Sequence, residues 1–189
     1  MCIRDRYNAD AANFPECGWI GSQAQAVPGS NTWAFKNIVG ALPDKLTATQ
    51  TGYAVAKNAG TYETIGGVSR TTSSKTCQNE RIDTMVVVDW TESRMQEGLW
   101  FVLANSAKVP YTNQGISRVE AQVRKVLAEG IRNGAYADSP APTITVPDAS
   151  SVSSALKATR TLEGVTFTAV LAGAIEKVVI RGTVSVGGV

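Results

Sequence analysis

The stretch Gly164-Val-Thr-Phe-Thr-Ala-Val-Leu-Ala-Gly-Ala-Ile-Glu-Lys-Val-Val-Ile-Arg-Gly-Thr-Val-Ser-Val186 reads as two β-strands about a turn. Val165, Phe167, Ala169 and Leu171 alternate with Thr166, Thr168 and Val170. Val178, Ile180, Val184 and Val186 alternate with Val179, Arg181, Thr183 and Ser185. A period of two puts one apolar row on each strand, and Ala172-Gly173-Ala174 supplies the turn. The reading is a C-terminal β-hairpin whose second strand is long and apolar, blunted only by Arg181. Such an edge is covered by the rest of the fold or taken by another chain.

Working back from this hairpin, Ser139-Pro-Ala-Pro142 is a stiff connector and Thr143-Ile-Thr-Val146 a short strand, with one short helix expected within Ser151 to Thr161. Two longer helices precede them. The second starts at Thr112 or Asn113 and lines up Ile116, Val119, Val123, Val126, Leu127 and Ile131, with Arg118, Gln122, Lys125, Glu129 and Arg132 opposite. Asn133-Gly134 ends it. The first starts near Asp89 or a few residues earlier and carries Met95, Leu99, Val102 and Leu103 on one face, with Gly98 inside it marking close packing. Pro110 turns the chain between them.

Further upstream, Gly66-Gly67 between Thr61–Ile65 and Val68–Thr72 is a hairpin signal, and Thr47 is an N-cap for a helix reaching about Asn58. Thr32 to Val39 alternates as a strand would, Thr71 to Lys75 reads as a polar, mobile loop, and Ala11 to Ala26 is weakly helical. The order of elements gives an α+β fold, a helix pair packed on a mainly antiparallel sheet, with the C-terminal β-hairpin at its end.

Little in the chain points to chemistry. It has 18 Lys plus Arg against 16 Asp plus Glu, a net charge of +2, which argues against a phosphate-tracking surface. There is no histidine, so within this chain His-dependent triads and most zinc sites are excluded. No apolar run approaches the ~20 residues of a membrane helix. Cys17 and Cys77 stand far apart, and the sequence leaves open whether they pair. Asp83, Asp89 and Glu92 form an acidic group able in principle to do acid–base work or hold Ca²⁺. Acids opening a helix are explained by its dipole, however, and Arg81 and Arg94 are expected to pair with them. Trp90, Trp100 and Phe101 are an aromatic group of which Trp100 is expected in the core, and Tyr111 is expected to pack on the helix pair. The expectation is no catalytic residue, no cofactor and no metal site.

Several blocks resemble a phage family of contractile-tail sheath-like proteins: Arg81-Ile-Asp-Thr-Met-Val-Val-Val-Asp-Trp90, Lys108-Val-Pro-Tyr-Thr-Asn113, Pro140-Ala-Pro-Thr-Ile-Thr-Val-Pro-Asp148 and Leu162-Glu-Gly-Val-Thr-Phe-Thr-Ala-Val-Leu-Ala-Gly-Ala-Ile175. Trp33-Ala-Phe-Lys-Asn-Ile-Val-Gly40 and Lys57-Asn-Ala-Gly-Thr-Tyr62 resemble its upstream blocks, so the likeness runs in order from about Trp33 to Val186. Met1-Cys-Ile-Arg-Asp-Arg6 resembles the translation of a sequencing-library adaptor. The expected division is therefore an adaptor-derived segment at 1–6, the remnant of a truncated upstream region at 7–31, and a sheath-like C-terminal domain at 32–189 with a terminal strand at 178–186.

The resemblance implies a structural subunit that polymerises into a helical tube around a tail tube. Its partners would be further copies of itself and the tail tube and baseplate proteins, with no nucleic acid and no membrane insertion. Its place would be the virion tail, assembled in the host cytoplasm. Val178, Ile180, Thr183, Val184 and Val186 are the expected inter-subunit strand residues. The alternatives are a tail or baseplate binding module that does not polymerise and, third, an enzyme.

Overall fold

The computed structural model describes residues 14–183. It has five helices and two small antiparallel sheets among those residues: α1 (Pro15–Ala24), α2 (Ala48–Ala56), β1 (Tyr62–Ile65), β2 (Val68–Thr71), α3 (Ile82–Ala104), α4 (Asn113–Arg132), β3 (Thr143–Thr145), α5 (Ser154–Ala158) and β4 (Thr166–Thr168). The architecture is the α+β arrangement expected from the sequence. None of these helices is long and apolar enough to cross a membrane.

Two apolar clusters organise the chain. The first gathers Trp19, Trp33, Ile38, Tyr62 and Ile82. Proline in the first turn and Glu16 behind it favour the start of α1, and the helix delivers Trp19 edge-on to Trp33 with ring centroids 5.6 Å apart. The Trp19 indole N–H donates to the Trp33 carbonyl at 3.1 Å, so the buried polar edge of the ring is satisfied. α2 opens with the expected Thr47 cap, completed into a reciprocal pair by Gln50. β1 and β2 pair in register Tyr62↔Thr71 to Ile65↔Val68. Gly66 and Gly67 both take positive φ, 60° and 81°, as a two-residue primed turn requires.

Two expectations fail beside this hairpin. Thr32 to Val39 is not a strand: Phe35 sits at φ 60°, outside the extended region, and burial falls on Trp33, Ala34 and Ile38 instead of every second residue. The segment docks on the end of β2 through Phe35 N–H to Thr71 O and Thr71 N–H to Lys36 O, each 2.9 Å. The Thr71–Lys75 loop is also not a loose polar surface. Thr71, Ser74 and Thr76 are all buried. Their polar atoms are tied down locally, for instance by Ile82 N–H donating to the Ser74 carbonyl at 2.9 Å.

The second cluster joins Val87 of α3, Val123 and Leu127 of α4, and Ala135 and Tyr136 just after it, with Met95, Ile131, Ile144, Val165 and Ala169 packed around. Here α4 follows its sequence reading closely, from the Thr112 cap that accepts from Gly115 N–H to Asn133 and a Gly134 with φ 80°. α3 begins at Ile82, earlier than Asp89, because the apolar residues Met85 to Val88 extend the helix toward the first cluster. Asp83, not Asp89, therefore lies in its first turn. Gly98 does mark close packing: a Cβ there would lie 1.9 Å from Gln122 Nε2. Trp100 is not in the core but 71% exposed, with Phe101 and Leu103 exposed beside it. Two residues past Gly98, which lies against Gln122, Trp100 falls about 200° round the helix, on the side away from α4.

The C-terminal antiparallel pair is present with a different partner from the one expected. β4 pairs with β3 in register Thr143↔Thr168 to Thr145↔Thr166, and a bridge links Leu171 to Tyr136. The turn at Gly173 does not fold residues 178–183 back onto β4; that described segment has no ladder. β3 lies against α4 and supplies Ile144 to the second cluster, so it offers β4 a site already half built, whereas a local hairpin would pack on nothing.

Candidate assembly surface

The C-terminal segment leaves the fold in two steps. Ala137 N–H donates to Val170 O at 2.8 Å and Ala172 N–H to Ala135 O at 3.0 Å, which lashes 170–172 to the chain after α4. Gly173, at φ 62°, then redirects it. The next fixed point is Glu176. Its carboxylate accepts from the Ser74 hydroxyl, from the Arg81 guanidinium and, at 3.3 Å, from the Thr32 hydroxyl. Ser74 itself accepts from Arg81 Nη1 at 2.9 Å, closing a small ring of charge-assisted bonds. The Glu176 side chain is 17% exposed and that of Arg81 42%, so one partner is well shielded and the other half-open.

On both sides of this point the apolar side chains are open to solvent. Ile175 is 84% exposed, Val178 71% and Ile180 87%, with Val179 similar. Thr183 is exposed as well, and Val184 and Val186 lie outside the described residues. An isolated exposed valine is unremarkable, but four within six residues, on a backbone with no ladder partner, form an unsatisfied edge.

The other residues singled out from the sequence do not gather into a site. Asp89 and Glu92 are exposed on mid-α3, and Asp83 accepts from the neighbouring Thr84 N–H at 2.9 Å. Arg94 does not pair with them; it reaches Glu97 at 3.3 Å and Glu129 at 3.2 Å. Those bonds, Glu129 first, raise its guanidinium above the ordinary arginine value. Together with Gly98, Phe101, Gln122, Lys125 and Val126 they line an open cleft of about 290 Å³ between the helices. Arg81 pairs with Glu176 instead. Cys17 and Cys77 are not joined to each other by a disulfide. Tyr111 lines a half-open pocket together with Leu103, Ile116 and Val119, its hydroxyl buried without a hydrogen-bond partner.

Glu176 is the functional candidate that sequence reasoning missed. Its signal was there, the lone carboxylate of a largely apolar terminal run, but its partners are Arg81 and Ser74, 95 and 102 residues away.

Comparison with known proteins brings these features together. Residues 82–139, which span α3, α4 and the turn after them, match the family described as E217 tail sheath protein gp31-like, C-terminal domain. No curated protein sequence matches the chain. Among solved structures, a chain of the anti-feeding prophage (AFP) baseplate superposes with a TM-score of 0.69 at 13% identity, over 89% of this chain and 49% of that one. A chain of an extracellular contractile injection system, the PVC sheath complex in its contracted state, gives 0.63 at 13% identity, over 81% of this chain and 45% of that one. The chain thus spans about half the length of the solved chains it matches. At this identity the likeness is one of fold. The resemblance read from the sequence holds: the chain is similar to contractile-tail sheath proteins, in sequence over its helix pair and in fold over most of its length.

Proposed function

We propose that this chain is a structural subunit of a contractile tail sheath. It polymerises into a helical tube around the tail tube through strand contacts made by residues 178–186. The observation that carries this reading is the exposed apolar row Ile175, Val178, Val179 and Ile180 on a segment without a ladder. A neighbouring subunit that offered a sheet edge would satisfy its backbone and bury its side chains, main-chain bonds giving affinity and alternate side chains fixing register. Each Val or Ile so buried contributes about 1.5–3 kcal/mol. A contact between unlike surfaces that does not close a ring grows into a helical polymer. Copies of this chain, the tail tube and the baseplate are then its partners, the tail is its place, and it is no enzyme.

Negative-stain electron microscopy of the purified chain tests the reading. Striated tubes or stacked rings are expected, and they should vanish when Ile180 and Val184 are both replaced by proline, while far-UV circular dichroism keeps the helical signal of α3 and α4. Tubes that persist in the double proline variant would refute the strand contact. The match to a baseplate chain favours one further reading, a baseplate component that docks without polymerising. Size-exclusion chromatography separates the two, since only the sheath reading has particle size growing with concentration.

A further inference from the structure

Glu176 stands where the last part of the chain that packs on the fold gives way to the exposed row. Residues 170–172 are bonded to the chain beside Tyr136, in the second apolar cluster. Arg81, by contrast, immediately precedes Ile82 of the first cluster, and Thr32 precedes its Trp33. The terminal segment therefore crosses from one cluster to the other, and Glu176 is its second anchor. We propose that Glu176 is a positioning residue whose clasp with Arg81, Ser74 and Thr32 sets the direction in which residues 177–183 leave the subunit.

Three features support the assignment. All three clasp partners come from different places in the fold, the loop after α1, the buried loop after β2 and the residue that opens α3, so the carboxylate is fixed relative to the body and not to one flexible element. Ser74 is fully buried, and its hydroxyl donates to Glu176 while accepting from Arg81; loss of the carboxylate leaves that donor facing an empty site. Finally, Glu176 supports no core: Ile175 and Val178 on either side of it are exposed. The clasp therefore orders a segment without filling the interior. A segment with a fixed exit presents its edge at one angle and loses less freedom on pairing than a loose one.

The consequence for assembly rests on the sheath reading above; the clasp itself does not. The test places spin labels on Asp89→Cys and Arg181→Cys in the full chain, with its native cysteines changed to serine, and measures their separation by dipolar electron paramagnetic resonance. One narrow distance peak is expected. Glu176→Ala and, from the other side, Arg81→Gln should broaden it while circular dichroism keeps the helical signal of the body and the thermal midpoint falls only modestly, as one unsatisfied Ser74 donor implies; Lys177→Ala should leave it narrow. A broad distribution in the parent, or a narrow one that survives Glu176→Ala, overturns the proposal. In assembly, Glu176→Ala should raise the concentration needed for tubes about tenfold, the factor worth one charge-assisted bond. A parent that shows the narrow peak but forms no tubes defeats the sheath reading and leaves the clasp standing. Tubes from a variant whose peak never broadened defeat the clasp alone.

Discussion

α4 and the segment after Gly173 carry apolar residues at similar density, yet one buries them and the other does not. Ile116, Val123, Val126 and Leu127 of α4 are all buried, while Ile175, Val178, Val179 and Ile180 are all exposed. Hydrophobicity does not separate the two sets; the presence of a partner does. α4 satisfies its own backbone and needs only a surface, which α3 and Tyr136 provide. The terminal segment needs both a surface and a ladder, and its described part, 174–183, pairs with none of the four described strands. Under the proposed function, the partner it lacks is a neighbouring subunit.

That contrast fails if the two regions respond alike to truncation. Leu127→Ala should lower the unfolding free energy by about 3 kcal/mol, since a buried leucine leaves a cavity in a cluster held from several sides. Ile180→Ser should shift it by no more than about 0.5 kcal/mol, as exposed sites do, yet it should weaken tube formation. Denaturant melts of both variants at a concentration below assembly settle the first half, and electron microscopy the second. An Ile180→Ser chain as destabilised as Leu127→Ala would mean the segment packs on its own subunit after all.

A smaller effect tests the joint between the regions. The Thr91 hydroxyl donates to Val87 O at 2.7 Å within α3 and lies 2.6 Å from the Tyr136 hydroxyl, and Tyr136 carries the bridge to Leu171. Thr91→Val keeps the volume and strands that phenol in the interior, which costs about 1–3 kcal/mol. Amide exchange should then quicken at Ala137 and Ala172, whose bonds hold the root of the terminal segment, more than at Val123. Equal protection at all three sites would show that Tyr136 anchors α4 alone.

How much of this was legible follows from the range of the interactions involved. α4, α2 and the β1–β2 turn are specified by residues within a few positions of one another: a 3.6-residue stripe, the Thr47–Gln50 pair, and Gly66-Gly67 at positive φ. Segment 32–39 alternates in sequence as a strand does, but Trp19 and Thr71 recruit Trp33, Phe35 and Lys36 from outside and impose an irregular path. The C-terminal antiparallel pair is legible but its partner strand is not, for the same reason: α4 makes the better surface, and no local pattern records that. Of the candidate assembly residues, the exposed row was legible as an apolar edge, while its anchor was not, because the clasp joins residues 95 and 102 positions apart. Trp100 shows the converse limit, since its size and apolarity read as core while its helical spacing from Gly98, which lies against Gln122, puts it on the face away from α4.

The smallest expected effect lies where the start of α4 meets the chain that follows β3. Asp148 Oδ1 accepts from the Ser150 hydroxyl at 2.6 Å and from Ser150 N–H at 2.8 Å, and Oδ2 accepts from the Asn113 amide at 2.9 Å. These donors, the Ser150 hydroxyl foremost, hold the carboxyl below the ordinary aspartate value of 3.8. A lowered acid stabilises the fold at all pH above that ordinary value and loses the contribution as pH falls from 3.8 through the lowered one. Because the group is open to solvent, acid should loosen this turn and leave the body folded. Carbon-13 titration of the Asp148 carboxyl should show a midpoint below 3.8 that returns toward it in Ser150→Ala, and by a smaller step in Asn113→Ala. A larger step for Asn113→Ala would instead make the tie to α4 the stronger hold on this turn. The chain between β3 and β4 would then draw its order from the helix pair, as the terminal segment beyond Glu176 does not.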